Sequence, residues 1–254
     1  MTINLTARPE SISTMSDRSS MTEDYSSRRT VTTSPRLKTL LESDMEILRI
    51  TMLTSMRFAQ QSIRLAIRAI TNRDTRLARQ VLVGDKEIDR REIGIDAMVL
   101  RLLALHQPVA RDLRYIVGSM RISGNIERMG DEAVNIARRV DEFNSMGIFS
   151  LPEPLIELSQ LAQSLVQKAI TAFSDLDINL AETIGDQNDD AINLNVRLFR
   201  EMLNDNPRNP RQLERAVVIS FLTHNIKRVC DQAENIGESV IFIKKGVNCK
   251  HTVI

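Results

Sequence analysis

Acidic side chains recur at helical spacing in two stretches of this chain. Asp85, Asp89, Glu92 and Asp96 step by four, three and four residues, while Glu127 and Asp131 are four apart, with Asn135 four further on. On an α-helix these steps stack the side chains along one face. Two carboxylates about 6 Å apart repel by roughly 3 kcal/mol at an effective dielectric of 20, so rows this dense must face water or meet cations. Carboxylate and amide oxygens together suit hard cations such as Mg, Mn, Ca or iron and discriminate little among them. A solvated face is the alternative reading of the same rows. Around Glu127 and Asp131, however, Ile122, Ile126, Met129, Ala133 and Ile136 are apolar, and acids held close to apolar surroundings favour a compensating ion.

The elements that must position these acids follow from hydrophobic spacing. Leu41, Met45, Leu48, Met52, Met56, Ala59, Ile63, Ala66 and Ile70 advance mainly by fours and threes, which predicts one long amphipathic helix from Arg36. Its methionines are expected to fill a core. Asp74 is a candidate N-cap for a second helix with the stripe Leu77, Val81, Ile88, Ile95, Val99 and Leu102. Pro108 is expected in the first turn of a third helix that ends near Val140. After Gly147 and Leu151-Pro152-Glu153-Pro154 the order begins again: Leu155 to Leu176, Leu180 to Met202, and a last helix from Asn209-Pro210 to just before Gly246. Short connections make sequential helices antiparallel neighbours.

A repeat underlies the division. Residues 125–136 and 225–236 match at an offset of 100, with seven of the twelve pairs identical, and Arg111, Leu113 and Val117 match Arg211, Leu213 and Val217 at the same offset. The fold class predicted is therefore all-α: two tandem, pseudo-twofold-related three-helix bundles made of six long antiparallel helices. The first bundle is expected over 36–146 and the second over 153–246. They are flanked by a Ser/Thr-rich disordered tail at 1–35 and a C-terminal tail at 247–254.

Composition narrows the function. Only 9 Gly and 7 Pro in 254 residues argue against an all-β fold, and 34 Lys plus Arg against 33 Asp plus Glu leave no positive field for nucleic acid. No run of about 18 to 20 apolar residues is present to span a membrane, and two cysteines, Cys230 and Cys249, form no bridge framework or metal spacing, so a cytoplasmic chain, peripheral at the membrane at most, is expected. Di-iron bundle enzymes need Glu-x-x-His pairs. The residues three before His106, His224 and His251 are Leu103, Phe221 and Asn248. With no phosphate loop, nucleophile elbow or activated cysteine evident, the chain is not expected to be an enzyme. Arg111, Arg114, Arg121 and Arg128 are read as a solvated face, with recognition of an acidic partner as the alternative.

The runs Gly84-Asp85-Lys86-Glu87-Ile88-Asp89, Leu102 to Arg114 and Ile126 to Ala137 closely resemble the PhoU family of phosphate-signalling regulators, over about residues 36 to 246. The resemblance implies a non-enzymatic adaptor that joins the ATPase of a phosphate ABC transporter to a sensor histidine kinase and holds the starvation response off when phosphate is plentiful. A homodimer is expected. Some members bind iron, zinc or other metal clusters through Asp/Glu-x-x-x-Asp motifs. The matching positions here are Asp85, Asp89, Glu127, Asp131 and Asn135 in the first repeat, and Asp186, Asp190, Asp231 and Asn235 in the second. Lys227 stands where the family's second repeat usually has Glu, and Cys230 where it usually has Gly. A bound ion is therefore expected to prefer the first repeat, since an ammonium can neutralise the acids an ion would otherwise meet. A metal-buffering or hydrolytic bundle is the alternative function.

Overall fold

The stripe along residues 41–70 becomes a single 37-residue helix, α1 (Pro35–Thr71), in the computed structural model. Leu48, Met52, Ala59 and Ala66 have no exposed surface and Met56 almost none, so the methionines do fill the core. The structure describes residues 35–204 and 209–247. The tails expected at 1–35 and 247–254 lie, apart from Pro35 and Val247, outside the described residues, as do Cys249 and His251.

Asp74 caps α2 (Thr75–His106) as expected, its carboxylate accepting from the backbone N–H of Arg76 at 2.8 Å and of Leu77 at 3.3 Å. Gln107 closes the helix in the left-handed region, and His106 Nε2 lies 2.9 Å from an Asp44 carboxylate oxygen, a structural contact between α2 and α1. Pro108 does not enter the next helix. Val109 is the N-cap of α3 (Ala110–Arg138), because Gln107 and Ala110, both at positive φ, turn the chain before the helix can begin. A break at Arg139 separates α3 from the six-residue α4 (Val140–Ser145). The second bundle comprises α5 (Glu153–Asp175), α6 (Ile178–Asn204) and α7 (Pro210–Lys245). Asn209 caps α7, and Gly246 ends it at φ 76°, a conformation suited to glycine.

The two three-helix bundles join through α3 and α7, which run antiparallel. Arg114 donates to the carbonyl of Ile243 at 3.2 Å, Glu132 meets Arg228, and Arg139 lies over the Phe221 ring at 4.4 Å, so one index falls as the other rises. Arg121 covers the Phe242 ring at 4.3 Å. Arg114 is thus half-buried against α7, while Arg111, Arg121 and Arg128 stay exposed as the solvated-face reading expects, with the Arg121 stem lying along the neighbouring helix. A second contact joins α1 to α5, where Gln60 donates to Gln167 at 2.8 Å, while Tyr115 of α3 stacks on Phe173 of α5. The four helices α1, α3, α5 and α7 form the centre, with α2 and α6 applied to its two ends. One continuous core of Ile, Leu, Met and Val results, in which truncating a buried Leu or Ile to Ala costs about 2–5 kcal/mol. Among the described residues no helix is long and apolar enough to cross a membrane.

Arg228 Nε approaches Glu132 Oε1 to 2.6 Å, and the Glu132 side chain is only 4% exposed. Arg228→Ala leaves that buried carboxylate uncompensated and is expected to destabilise the chain by ~1–3 kcal/mol, whereas adding Glu132→Gln to Arg228→Ala restores part of the loss. Urea unfolding midpoints of the two single variants and the double variant check this.

Candidate metal centre

The α2 stripe that packs on α1 and α3 carries Ile88, Ile95 and Val99 inward, which leaves Asp85 and Glu92 half-buried at the α2/α3 seam and Asp89 more exposed. Across the seam α3 presents Glu127, half-buried, and Asp131, exposed. The two helices pack closely here: a Cβ added at Gly130 would meet Ile88 Cδ1 at 2.6 Å, so any larger residue requires the Ile88 side chain to shift. These acids feel one another. Burial, then the charges of Asp89 and Asp131, pushes the Asp85 carboxyl above its ordinary range, with Arg138 opposing. Glu92 is raised by burial and by Asp96 and Asp89. Glu127 is pushed up to about 7, first by burial and then by Asp131 and Glu92.

The structure therefore brings Asp85, Asp89, Glu127 and Asp131 together, with Glu92 added to them. Asn135 stands half-buried one turn further along α3 and lines a different cleft, beside Arg138 and Arg139. The donors are all oxygens, the kind a hard divalent cation takes. Among the described residues no three His, Cys, Asp or Glu side chains converge closely enough to close a metal site in this arrangement. The donors fit a hard cation in kind, and Glu127 shares a hydrogen bond with Asp131.

The second repeat is built differently. Asp186 and Asp190 are exposed on α6, and it is Asn188, buried between them, that reaches Asp231 at 3.0 Å and Glu234 at 2.6 Å. The burial stripe explains this. Ala78, Val81, Ile88 and Ile95 of α2 correspond to Ala181, Ile184, Ala191 and Leu198 of α6, an offset of 103 instead of 101. In that register Asn188 stands for Asp85, Ile192 for Asp89, Asn195 for Glu92 and Phe199 for Asp96. Matching acids by spacing alone pairs Asp186 and Asp190 with the first repeat; matching buried positions would have found Asn188. Lys227 is bonded to Asp231 through its ammonium. Glu234, which spacing did not single out, is raised chiefly by burial, while the Asn188 amide stabilises its charge. Asn235 is half-buried on α7, its carbonyl accepting from Ser239 at 2.8 Å. Cys230 is fully buried, and its thiol is pushed up to about 12 by burial, then by Asp231, so it is held neutral and is no nucleophile.

The PhoU domain family matches residues 53–140 and 155–240, one copy per bundle. The chain belongs to the PhoU family. A phosphate-specific transport system accessory protein PhoU homolog of Xylella fastidiosa (strain Temecula1) is 34% identical over 71% of this chain and 75% of its own length. The homolog of the same name from Aquifex aeolicus is 31% identical over 77% of this chain and 88% of its own. The crystal structure of PhoU from Pseudomonas aeruginosa superposes with a TM-score of 0.76 at 29% identity, covering 81% of this chain and 99% of that one. In this PhoU-family chain Asn188 and Lys227 pair with Asp231 of the second repeat, and Asn188 also with Glu234.

Glu127 gives a pH signature. Between 4.5 and about 7 the folded chain holds a proton there that the unfolded chain releases, so the folded state binds more protons and stability falls as pH rises through that window. Glu127→Gln is expected to flatten this slope and to raise the thermal midpoint above pH 7 relative to the parent chain, measured in metal-free buffer. Parallel pH profiles for the two chains would contradict it.

Proposed function

We propose that this chain is a cytoplasmic accessory protein of a phosphate transport system, which joins the ATPase of a phosphate ABC transporter to a sensor histidine kinase and holds the starvation response off when phosphate is plentiful. The observation that carries this reading is the likeness of both bundles to the phosphate-specific transport accessory proteins, over most of their length. The fold supports it. Four central helices lie between two outer ones, and the outer helices differ at matched positions: where α2 carries Asp89 and Asp96, α6 exposes Ile192 and Phe199. Two unlike ends suit a protein that meets two unlike partners. A homodimer remains compatible with the apolar face of α6.

A divalent, iron or zinc ion would be held in the first repeat by Asp85, Asp89, Glu127 and Asp131. When bound it would supply the positive charge that now has to come from a proton on Glu127. The second repeat already contains its cation in Lys227. Equilibrium dialysis followed by metal analysis is expected to show Asp131→Ala losing the ion while Asp231→Ala retains it; equal loss from both would contradict the asymmetry.

The functional reading is tested by deleting the gene and following a phosphate-starvation reporter in phosphate-rich medium. Reporter output is expected to rise to the starved level and to return to the repressed level when the chain is supplied again. Output that stays repressed in the deletion strain would overturn the adaptor role. Hydrolysis of a phosphoester by the purified chain, lost in Asp131→Ala, would favour the metal-dependent alternative.

A further inference from the structure

The α3/α7 junction holds a second polar cluster that the acid centre does not use. An open cleft of about 450 Å³ is lined by Asn135, Arg138 and Arg139 at the end of the first repeat and by Phe221, His224 and Asn225 on α7. Every polar side chain in that lining carries an N–H donor, and none is a carboxylate. Arg139 is anchored, stacked 4.4 Å over Phe221 and donating to Glu142 at 2.8 Å. The side chains of Arg138, His224 and Asn225 make no hydrogen bond or ion pair with any described residue. Asn225 is only 9% exposed. Its repeat counterpart Asn125 donates its amide to the carbonyl of Arg121, four residues back, at 2.9 Å; Asn225 leaves that bond unmade. Its amide opens instead onto the cleft, where its N–H groups are free to donate to a ligand.

The duplication supplies an internal control. At an offset of 100 the corresponding positions are Asn235, Glu238, Ser239, Arg121, Gly124 and Asn125. There a carboxylate replaces Arg138, glycine replaces His224, and the asparagine is satisfied by its own helix. The donor cluster is thus not a by-product of how α3 and α7 pack, since the same packing on the other side of the pseudo-twofold produces none.

We propose that this cleft binds a phosphoryl oxyanion, with Arg138, His224 and Asn225 donating to its oxygens and Arg139 providing a fixed positive charge. Guanidinium and amide donors converging on one open space match the several acceptor oxygens of a phosphoryl group, and charge-assisted bonds of this type are the strong ones. The cleft is roomier than inorganic phosphate needs, so the group can be the free ion or the phosphoryl end of a nucleotide. Arg138 also faces Asp85 and favours its ionised form. The assignment does not rest on the adaptor reading, because binding is measured on the isolated chain.

Isothermal titration calorimetry on the full chain with inorganic phosphate, pyrophosphate and ATP tests it. Saturable binding of at least one probe is expected; tighter binding of phosphate assigns the free ion, and tighter binding of ATP assigns a nucleotide. Arg138→Ala combined with His224→Ala is expected to weaken binding about ten-fold or more. Asn225→Asp, nearly isosteric, is expected to weaken it as well by repulsion, and it guards against misfolding of the double variant. Arg111→Ala, in a different cavity, leaves binding unchanged. No saturable heat with any of the three probes up to about 10 mM, or parent-like binding by the double variant, would overturn the proposal.

Discussion

The packing of α3 against α7 is the constraint on which the rest of this structure depends. Each helix is the third of its bundle and each must bury two faces, one in its own bundle and one against its duplicate. That is why their small and polar buried residues, Gly118, Ser119, Ser123, Thr223 and Ser239, sit among the large apolar ones: close approach of the backbones requires them. It is also why a carboxylate as buried as that of Glu132 is tolerated, since Arg228 arrives from the other repeat to meet it. With this seam fixed, α2 and α6 can only lie at the two ends. Whatever they expose there becomes the protein's outward chemistry.

Much of the fold was legible because its signals are local. The Asp74 cap, the helix start at Asn209-Pro210, the step pattern of α1 and the repeated motif at an offset of 100 are each written in short stretches of sequence. The start of α3 was not, because Pro108 satisfies the rule for a first helical turn, while the positive φ of Gln107 and Ala110 comes from how the turn packs. The Arg114 and Arg121 contacts are between bundles and leave no trace in spacing. For the site, Asp85, Asp89, Glu127 and Asp131 of the first repeat do share the α2/α3 seam, since the two helices are adjacent and each row lies on one face, while Asn135 falls in another cleft. Asp186 and Asp190 were placed by counting acids. Burial follows the apolar stripe instead, and a shift of two residues turned both outward and Asn188 inward.

The two repeats solve the same electrostatic problem in opposite ways. In the first, the mutual repulsion of the acids is left standing and is relieved by a proton on Glu127. In the second, an asparagine replaces the aspartate on the outer helix and a lysine replaces the glutamate on the inner one. The remaining acids, Asp231 and Glu234, are satisfied within the chain. Duplication thus gave one responsive end and one fixed end. The anion cleft proposed at the α3/α7 junction lies beside the responsive end and shares Arg138 with it, which places both sites on the same short stretch of α3.

The claim that intrinsic charge decides which repeat can take an ion is tested most directly by restoring the acids of the second. Metal stoichiometry should be measured by competition with a chromophoric chelator for the parent chain and for Asn188→Asp combined with Lys227→Glu. The account predicts that the variant acquires binding capacity the parent lacks, and that this added capacity survives Asp131→Ala and disappears with Asp231→Ala. An unchanged stoichiometry in a folded variant would show that something other than Asn188 and Lys227 closes the second repeat.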